Sequence, residues 1–496
     1  MRIAGELSFD QELIGHVRKL RGVRVLCAGD VMLDHFVYGE VDRISPEGPI
    51  PVLRIEREDW MLGGAGNVAR NLDNLGAEVR FLAVCGEDWA AERIRELCKA
   101  LRGCKAEIAV EPGRKTAVKT RYVAQSQQLL RADAESNHDI ASATLERLLT
   151  AFRDALPDSD IVILSDYAKG VLNGRHASAF LKLAAEAGKP VLVDPKGRNF
   201  ERYRGAALVK PNLKELSEAT GMNVRNDAEI EAAAKGLLQS SGLAALLVTR
   251  GSAGMTLVQE DSVRHFPSFA REVYDVSGAG DTVAAVLGGA MGAGLPLEEA
   301  VTLANVSAGL VVAKVGTAVV TPEEIIQEIR YHSRPSADRK LLSVAEAADE
   351  ASKWRRLGLR IGFTSGCFDL LHPGHIALLK QARESCDRLI VGLNSNRSAA
   401  AIKGPNRPVQ DEVARATVLA SLAFVDAVVI FDDLTPENLI RALRPDVLVR
   451  GADYRPDDGA AADLVRAWGG EVVLADFVPG HSTTRTIHRF VSGSEQ

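Results

Sequence analysis

The feature of the sequence that most constrains its fold is a repeated alternation of short apolar runs with longer helical stretches. Several of the apolar runs lack the apolar–polar alternation of a strand with one wet face, which is typical of parallel strands that helices cover on both sides. This pattern predicts a doubly wound α/β domain over residues 1–330. The expected strands lie at 23–29, 78–86, 161–167, 189–195, 206–212 and 244–251.

A second and shorter series of the same kind begins at residue 359. It predicts a smaller, Rossmann-like α/β domain over 359–496, of the type that binds nucleotides. The charged, alanine-rich stretch 331–358 is interpreted as a linker with a connecting helix, although it could also be the last helix of the first domain. The expected strands of the second domain lie at 360–366, 388–395, 426–431, 446–451 and 471–476.

Charge and cysteine content narrow the class of protein. The net charge of -6 argues against a nucleic-acid binder with a broad basic face, but not against small phosphorylated ligands. The six cysteines form no CxxC pair, and sparse cysteines in a long chain indicate a reducing compartment. The chain starts without a basic region followed by an apolar core, and its longest uncharged run, 16 residues, is short for a spanning helix. We therefore expect a cytoplasmic protein with neither membrane nor nucleic-acid partners.

The segment 274–290, YDVSGAGDTVAAVLGGA, carries the most informative chemistry of the first domain. Gly278, Ala279 and Gly280 are small and precede a helical pattern, so backbone N–H groups and the helix dipole can form an anion hole for a phosphate. Asp281 follows at once and could accept the proton of an attacking hydroxyl, although it could instead cap the helix. The segment is not a Walker A loop, because the chain contains no G-x-x-x-x-G-K-[ST] pattern.

A second glycine-rich segment, MLGGAGNVARNLDNLGAEV, covers 61–79. Gly63, Gly64 and Gly66 allow close approach of a ligand before a helix with Asn67 in its first turn. An amide can both donate to and accept from sugar hydroxyls. A tight loop packed on the sheet is the alternative interpretation.

Together these segments resemble the ribokinase/PfkB family of sugar kinases over about residues 20–325. The resemblance rests on GGAGN, KPNLKEL (210–216), VTRGSAGM (248–255) and DVSGAGD, in the order of the family. One departure is Val276, where the family pattern has threonine. The resemblance implies a ribokinase-like sheet domain that uses ATP and Mg²⁺, with a small β lid that the segment 115–133 could supply.

The same resemblance implies roles for individual residues. Asp281 would be the catalytic base and Gly278–Gly280 the anion hole, with Mg²⁺ held through water by Asn212 and Glu215. The residues expected around the ATP phosphates are Asn212, Leu213, Lys214, Glu215 and Gly251. The residues expected around the sugar are Asp30, Asp34, Gly63, Gly64 and Asn67.

In the second domain, His372 and His375 flank a Pro-Gly turn in TSGCFDLLHPGHIALLK, where a strand gives way to a helix. The HxxH spacing could bind a metal, but zinc needs further protein ligands, and neither Cys367 nor Asp369 stands at a known ligand spacing. Packing at the helix start is another interpretation. Phosphate chemistry fits better, because imidazoles at a helix N-terminus can stabilise the charge of a departing pyrophosphate.

The HPGH motif and the polar segments that follow it resemble the cytidylyltransferase-like nucleotidyltransferase family over about residues 359–492. The resemblance implies an in-line attack of a substrate phosphate on the α-phosphorus of a nucleoside triphosphate. His372 and His375 would stabilise the phosphates, and Lys403, in the loop 402–409 with Arg407, would neutralise the transition state. The residues expected to bind the nucleotide are Gly366, Phe368, Asp369, Arg450, Ser482 and Thr483, with Arg485 close by in sequence.

A sugar kinase followed by a nucleotidyltransferase suggests two consecutive steps of one pathway, and this order resembles the bifunctional heptose kinase/adenylyltransferase family. That resemblance implies phosphorylation of D-glycero-β-D-manno-heptose 7-phosphate at O1. After a separate phosphatase has acted, adenylyl transfer would give ADP-heptose for lipopolysaccharide. Candidate cations for the 7-phosphate are Lys169, Lys196 and Arg198, and pairing of lids would give a homodimer.

Two alternatives remain from the sequence. One is a kinase fused to a nucleotidyltransferase that uses another sugar or polyol phosphate, or CTP in place of ATP. The other is a non-catalytic regulator that binds metabolites on the same folds. The regulator predicts loss of catalytic positions, yet Asp281, His372, His375 and Lys403 are all present.

Overall fold

The computed structural model describes residues 2–124, 127–270, 273, 275–314, 316–333, 338–451 and 459–476. The chain divides into two compact units, Met1–Arg330 and Tyr331–Gln496. Among the described helices, none combines the length and the apolar character needed to cross a membrane.

The strands of the first unit are β1 Arg24–Gly29, β2 Val31–Ile44, β3 Pro51–Gly64, β4 Glu78–Cys85, β5 Cys104–Val110, β6 Ala117–Ala124, β7 Gln127–Ala134, β8 Ile161–Ser165, β9 Val191–Asp194, β10 Leu208–Val209, β11 Ala245–Thr249, β12 Met255–Gln259 and β13 Val263–Phe266. Its helices are α1 Arg2–Lys19, α2 Ala65–Asn74, α3 Trp89–Lys99, α4 Ser142–Ala155, α5 His176–Glu186, α6 Leu213–Thr220, α7 Asp227–Ser241, α8 Ala279–Gly292, α9 Leu297–Val312 and α10 Pro322–Ser333.

The main sheet of the first unit has the order β13-β12-β11-β10-β9-β8-β1-β4-β5 within the described residues. Its strands are parallel from β11 to β5, and β12 and β13 complete one edge as antiparallel strands. Successive residues of β1 enter different cores, since Val25 and Cys27 pack on one face and Leu26 and Ala28 on the other. Burial on both faces explains why the expected strands lack alternation, and the predicted doubly wound fold is confirmed.

A second sheet, which we call the lid sheet, has the strand order β3-β2-β6-β7. Its strands β6 and β7 arise from the segment expected to supply a lid. The sequence did not predict the two 14-residue strands β2 and β3, which form a long antiparallel pair. The pair runs from the end of β1 to the start of α2. It therefore joins the lid sheet to the two segments that contain the residues expected around the sugar, 30–34 and 63–67.

The second unit contains β14 Ile361–Gly366, β15 Arg388–Asn394, β16 Ala427–Phe431, β17 Val447–Gly451 and β18 Glu471–Ala475, with α11 Val344–Arg356, α12 Pro373–Glu384, α13 Asn396–Lys403, α14 Glu412–Ala420, α15 Glu437–Leu443 and α16 Ala460–Ala467. The described strands are parallel and follow the order β16-β15-β14-β17-β18. This is the doubly wound order whose direction reverses next to the first strand. Ligands of such sheets bind at the carboxyl ends of the strands at that point, here between β14 and β17.

The stretch 331–358, expected to be a linker, contributes a helix to the core of the second unit. Helix α11 begins with a capping box between Ser343 and Glu346. Its residues Ala347, Ala351 and Trp354 are buried in that core. They recur at the spacing of one helical face. This apolar face packs against the second unit, so the helix is part of that unit and not a linker.

Candidate active sites

Helix α8 begins at the glycine-rich turn that the sequence marked as an anion hole. Gly278 adopts φ 78°, and a Cβ on it would lie 2.8 Å from Asn67 Nδ2, so this position requires glycine. Ala279 and Gly280 line a cavity of about 780 Å³. The N–H groups of a first helical turn lack partners within the helix, and they can therefore bind an anion in this cavity.

Asp281 lies in the first turn of α8 and is 4% exposed. Its Oδ1 accepts a hydrogen bond from the hydroxyl of Tyr167 at 2.6 Å, and its Oδ2 accepts one from Asn67 Nδ2 at 2.9 Å. Burial raises the pKa of Asp281 to about 7; nearby Asp194 also raises it, whereas the two hydrogen bonds and Lys210 lower it. A carboxylate with such a pKa is suited to take a proton near neutral pH.

Asn67, which was expected to bind the sugar, contacts Asp281 in this structure. Its amide is fully buried and donates to Asp281, so it holds the carboxylate in place. Asn67 accepts in turn from Asn71 Nδ2, and Asn71 Oδ1 accepts from the hydroxyl of Thr282. This buried chain of hydrogen bonds joins α2 to α8 and fixes the orientation of Asp281.

The carboxylate of Asp30 accepts three backbone N–H groups. These belong to Tyr167, Lys169 and Val171, at 2.9, 3.0 and 3.1 Å. Burial raises the pKa of Asp30 to about 6, and these hydrogen bonds oppose the rise. Asp30, which was expected to bind the sugar, therefore shapes the loop that follows β8.

That loop contains Tyr167, a site residue that the sequence did not predict. The next residue, Ala168, has φ 54°, a left-handed conformation that is strained for alanine. Asp166 Oδ1 accepts the N–H of Ala168 at 2.7 Å, and its Oδ2 accepts from the hydroxyl of Tyr203 at 2.7 Å. Carboxylates on both sides thus hold the turn that presents Tyr167 to Asp281. The sequence feature that could have predicted Tyr167 is a tyrosine that closely follows the end of a buried strand.

Asp34 is the fourth residue of β2 in the lid sheet. Its side chain is buried and paired with Arg121 Nη1 at 2.6 Å. A Cβ on Gly63 would come within 2.4 Å of Asp34 Oδ2. Gly64 has φ 57°, and a Cβ there would lie 2.6 Å from the carbonyl oxygen of Asp30. In this structure the two glycines make room for these acidic residues.

The residues expected to bind ATP divide into two groups. Asn212, Glu215 and Gly251 line the 780 Å³ cavity. Asn212 and Glu215 form a capping box at the start of α6, and Glu215 Oε1 also pairs with Lys196 Nζ at 2.9 Å. The other two residues named from the motif do not line this cavity in the structure. Leu213 packs on the core, and the ammonium of Lys214 lies 3.8 Å from the carboxylate of Glu218.

A buried ion pair in the same cavity was not predicted. Lys210 Nζ lies 2.9 Å from Asp194 Oδ1, and both residues line the cavity. The ammonium is 3.7 Å from the point where a Cβ would sit on Gly280. It therefore adds positive charge beside the anion hole. Lys210 is the first residue of KPNLKEL. Its contact with Asp194 joins the ends of two strands, and no pattern in the neighbouring sequence predicts it.

The kinase activity expected of this site should depend on pH through Asp281. The base is active only when deprotonated, so kcat/KM should rise through about pH 7, the pKa of Asp281. Folding stability should change in the opposite sense: the folded-state pKa lies above the ordinary 3.8, so stability is lost as pH rises from 3.8 towards about 7. Steady-state pH profiles test this, with Tyr167→Phe as the comparison. Loss of a hydrogen bond that lowers the pKa of Asp281 should move the rise to higher pH, and a flat wild-type profile would contradict the assignment.

In the second unit, His372 is the N-cap of α12 and His375 lies one turn further. Their rings stack with centroids 3.8 Å apart. Burial lowers the pKa of His375 to about 4, and the charges of His372 and Lys403 contribute, so the imidazole is neutral near pH 7. Both rings are half-buried at the carboxyl end of β14. Within the ranges given above, no three His, Cys, Asp or Glu side chains are grouped to hold a metal ion.

Two residues expected to bind the nucleotide have side chains that contact other parts of the second unit. Asp369 is 3% exposed and accepts from Arg407 Nε and from the N–H groups of Val409 and Gln410, so it fixes the loop 404–410. The side chain of Phe368 is buried in the core. A Cβ on Gly366 would lie 3.2 Å from its ring, which explains the glycine.

Lys403 ends α13 with an exposed side chain, close enough to His375 to lower its pKa. Arg450 stands at the carboxyl end of β17, on the other side of the point where the strand order reverses. The two predicted cations therefore occur on elements that meet at this edge of the sheet. Ser482, Thr483 and Arg485 lie outside the described residues.

Arg415 is a positioning residue that the sequence did not predict. It is 2% exposed, and its guanidinium donates to four oxygens at 2.6 to 3.0 Å. These oxygens belong to the carbonyls of Cys367, Asn394 and Gln410 and to the side chain of Asn396. The guanidinium thus connects the loops that follow β14 and β15 with the start of α14.

Replacing Arg415 by methionine should lower the rate of nucleotidyl transfer by at least about tenfold, because the carbonyls of Cys367, Asn394 and Gln410 would lose this donor. Kinase turnover should not change. Arg441→Met, at an exposed position of α15, is the matched control and should keep both activities. Wild-type nucleotidyl transfer in Arg415→Met would show that this connection is dispensable.

Comparison with known proteins finds a family match in each of the two units. Residues 24–324 match the pfkB family of carbohydrate kinases and residues 363–485 match the cytidylyltransferase-like family. Phosphofructokinase-2 from Escherichia coli in complex with potassium shares the fold of the first unit. It has a TM-score of 0.53 and 20% identity, over 63% of this chain and 100% of that one. The fold and the sites define an enzyme that joins a carbohydrate kinase to a nucleotidyltransferase.

Full-length relatives narrow this class. The bifunctional protein HldE of Paramagnetospirillum magneticum is 53% identical over 96% of this chain and 98% of its own length. HldE of Caulobacter vibrioides is 50% identical over 97% of this chain and 100% of its own length. The chain belongs to the HldE family of bifunctional proteins.

Proposed function

We propose that the chain carries out two steps of ADP-heptose synthesis for the lipopolysaccharide core. The first unit transfers a phosphoryl group from ATP to O1 of D-glycero-β-D-manno-heptose 7-phosphate. The second transfers an adenylyl group from ATP to heptose 1-phosphate and releases pyrophosphate. The observation that carries the proposal is full-length similarity to HldE proteins, together with Asp281 and the paired histidines at the strand ends of their own sheets.

In the kinase step, Asp281 takes the proton of the O1 hydroxyl as that oxygen attacks the γ-phosphorus. The bond between this phosphorus and the β,γ-bridging oxygen breaks, and ADP leaves. Tyr167 and Asn67 hold the carboxylate, one on each oxygen, so that its remaining lone pairs face the acceptor. The N–H groups at the start of α8 stabilise the equatorial oxygens of the transferred group. Lys210, beside Gly280, adds a positive charge there.

The cavity also offers donors that suit magnesium. The carboxylates of Asp194 and Glu215 and the amide of Asn212 supply hard oxygen ligands at one cavity wall. Two carboxylates fit an ion that keeps most of its waters, and Lys210 and Lys196 balance the charge of this wall. Magnesium bound there with ATP would neutralise charge on the β- and γ-phosphates.

In the adenylyl transfer, positioning and charge do the work and no covalent enzyme intermediate forms. The oxygen of the sugar 1-phosphate attacks the α-phosphorus in line, and the bond to the pyrophosphate breaks. His372 and His375 donate to phosphate oxygens as charge moves towards the leaving group. Lys403 approaches from the end of α13 and neutralises the pyrophosphate.

The proposal extends to assembly and location. The lid sheet exposes Ile44 by 61%, Ile55 by 53% and Leu130 by 59%, and exposed apolar side chains of this size favour burial against a partner. A homodimer formed through the lids would cover them. A tetrameric inhibited form is known for Escherichia coli phosphofructokinase-2, which has the same fold. The six free cysteines fit a reducing cytoplasm.

Mass spectrometry of the products tests the function. Heptose 7-phosphate with ATP should give the 1,7-bisphosphate, and addition of the phosphatase should carry the product on to ADP-heptose. Heptose 1-phosphate offered with ATP or CTP should release pyrophosphate with ATP only. Turnover with CTP, or phosphorylation of a different sugar in preference, would overturn the corresponding step.

A further inference from the structure

One face of the lid sheet places charged residues around Asp34. Across the strands, Asp34 of β2 stands opposite Lys119 of β6, and Lys119 stands opposite Asp133 of β7. Asp34 is paired with Arg121 at 2.6 Å, and Asp133 is paired with Arg131 at 2.9 Å. Both carboxylates beside Lys119 thus already have an arginine partner.

Lys119 remains as an uncompensated cation. Its side chain is half-buried, and its ammonium has no hydrogen bond or ion pair with any residue of the described ranges. Nζ lies over the ring of Tyr167, 5.6 Å from the centroid. Burial lowers the pKa of Lys119, while Asp34 and Asp133 oppose this effect. Partial burial of a charge without a partner is costly, so the position suits an anionic ligand.

A second cation, Arg70, also lies near Asp34. Arg70 of α2 interacts electrostatically with both Asp34 and Asp281. One of its terminal nitrogens donates to the carbonyl of Thr317, but Nε is buried and has no hydrogen-bond partner within the described part of the chain. Among the described residues near Asp34, the cations Lys119, Arg70 and Arg121 therefore outnumber the carboxylates of Asp34 and Asp281.

Two of the three cations that the sequence suggested for this purpose contact other side chains. Lys169 Nζ contacts Glu135 at 2.6 Å and Asn137 at 2.8 Å. Lys196 pairs with Glu215 in the nucleotide cavity. Arg198 is exposed on the loop after β9.

We propose that Lys119, supported by Arg70, forms the subsite for the terminal phosphate of a phosphorylated sugar acceptor. Tyr167 connects the two ends of the site, since its hydroxyl contacts Asp281 while Lys119 lies over its ring. The acceptor hydroxyl is held at Asp281, and the phosphate reaches the lid face. This inference rests on the proposed kinase function, and it makes Lys119 the residue that selects a sugar phosphate over the free sugar.

The test compares two acceptors in wild type, Lys119→Met and Lys105→Met. The acceptors are heptose 7-phosphate and the same heptose without its phosphate. Lys119→Met should lose about 50-fold in kcat/KM for the phosphorylated sugar, mostly through KM, as expected for loss of a charged contact. Its kcat/KM for the free heptose should change less than about threefold. Lys105→Met, exposed on β5 outside the lid, should behave as wild type with both sugars.

The possible outcomes test the phosphate subsite and the proposed kinase function separately. A wild-type enzyme that prefers the free heptose would overturn both. A wild-type preference for the phosphorylated sugar that survives in Lys119→Met would overturn the subsite alone. Equal losses with the two sugars would also overturn it, because they would show that Lys119 supports the lid and not the phosphate.

Discussion

Replacing Asp281 by asparagine should reduce kinase turnover by about 10²- to 10⁴-fold, the range for loss of a general base. Asparagine keeps the size of the side chain and one acceptor oxygen but cannot take the proton of the sugar hydroxyl. The loss should fall on kcat, because the groups that bind ATP and sugar remain. Initial rates of ADP formation with heptose 7-phosphate measure it.

Adenylyl transfer by the same protein is the internal control and should not change. Stability gives a second readout, since asparagine removes a buried carboxylate whose ionisation is unfavourable above about pH 7. The melting temperature at pH 8 should therefore not fall by much in Asp281→Asn. Undiminished kinase turnover in this variant would remove Asp281 as the base.

Replacing His375 by alanine should lower adenylyl transfer by about 10²- to 10³-fold, as for removal of one donor that stabilises transition-state charge. Because its pKa is about 4, His375 is neutral in the free protein and acts as a hydrogen-bond donor. A bound polyphosphate can raise this pKa and so increase the positive charge on the imidazole. Pyrophosphate release with ATP and heptose 1-phosphate measures the effect.

Kinase turnover of His375→Ala should equal that of the wild type. Asparagine at this position retains an N–H donor and should restore part of the adenylyl transfer. If alanine left the rate of pyrophosphate release unchanged, the stacked imidazoles would be packing residues at the start of α12, which is the alternative that the sequence left open.

Much of the fold could be predicted because the strands of both main sheets are short buried runs. Ile161 to Ser165 in β8 are all buried, so the sequence there shows no polar face and indicates a central parallel strand. The lid strands β2 and β3 were missed because their burial changes along 14 residues from core to solvent. They lack the uniform pattern of a central strand.

The site was predictable where one segment carries both the ligand-binding backbone and the reactive group. Gly278, Gly280 and Asp281 are such a segment, and so are His372 and His375. The contacts of Asp281 with Asn67 and Tyr167 join residues 214 and 114 positions apart. Hydrogen bonds over such distances depend on how strands and helices meet, and no local pattern distinguishes an amide that holds a base from one that holds a sugar.

The most direct test of two separate active sites on one chain is complementation. Asp281→Asn and His375→Ala are mixed with heptose 7-phosphate, ATP and the phosphatase, and ADP-heptose is measured by mass spectrometry. We predict that neither variant alone forms appreciable ADP-heptose and that the mixture forms it, because each supplies the step the other lacks. A mixture that forms none, with each variant present as folded protein, would contradict the account.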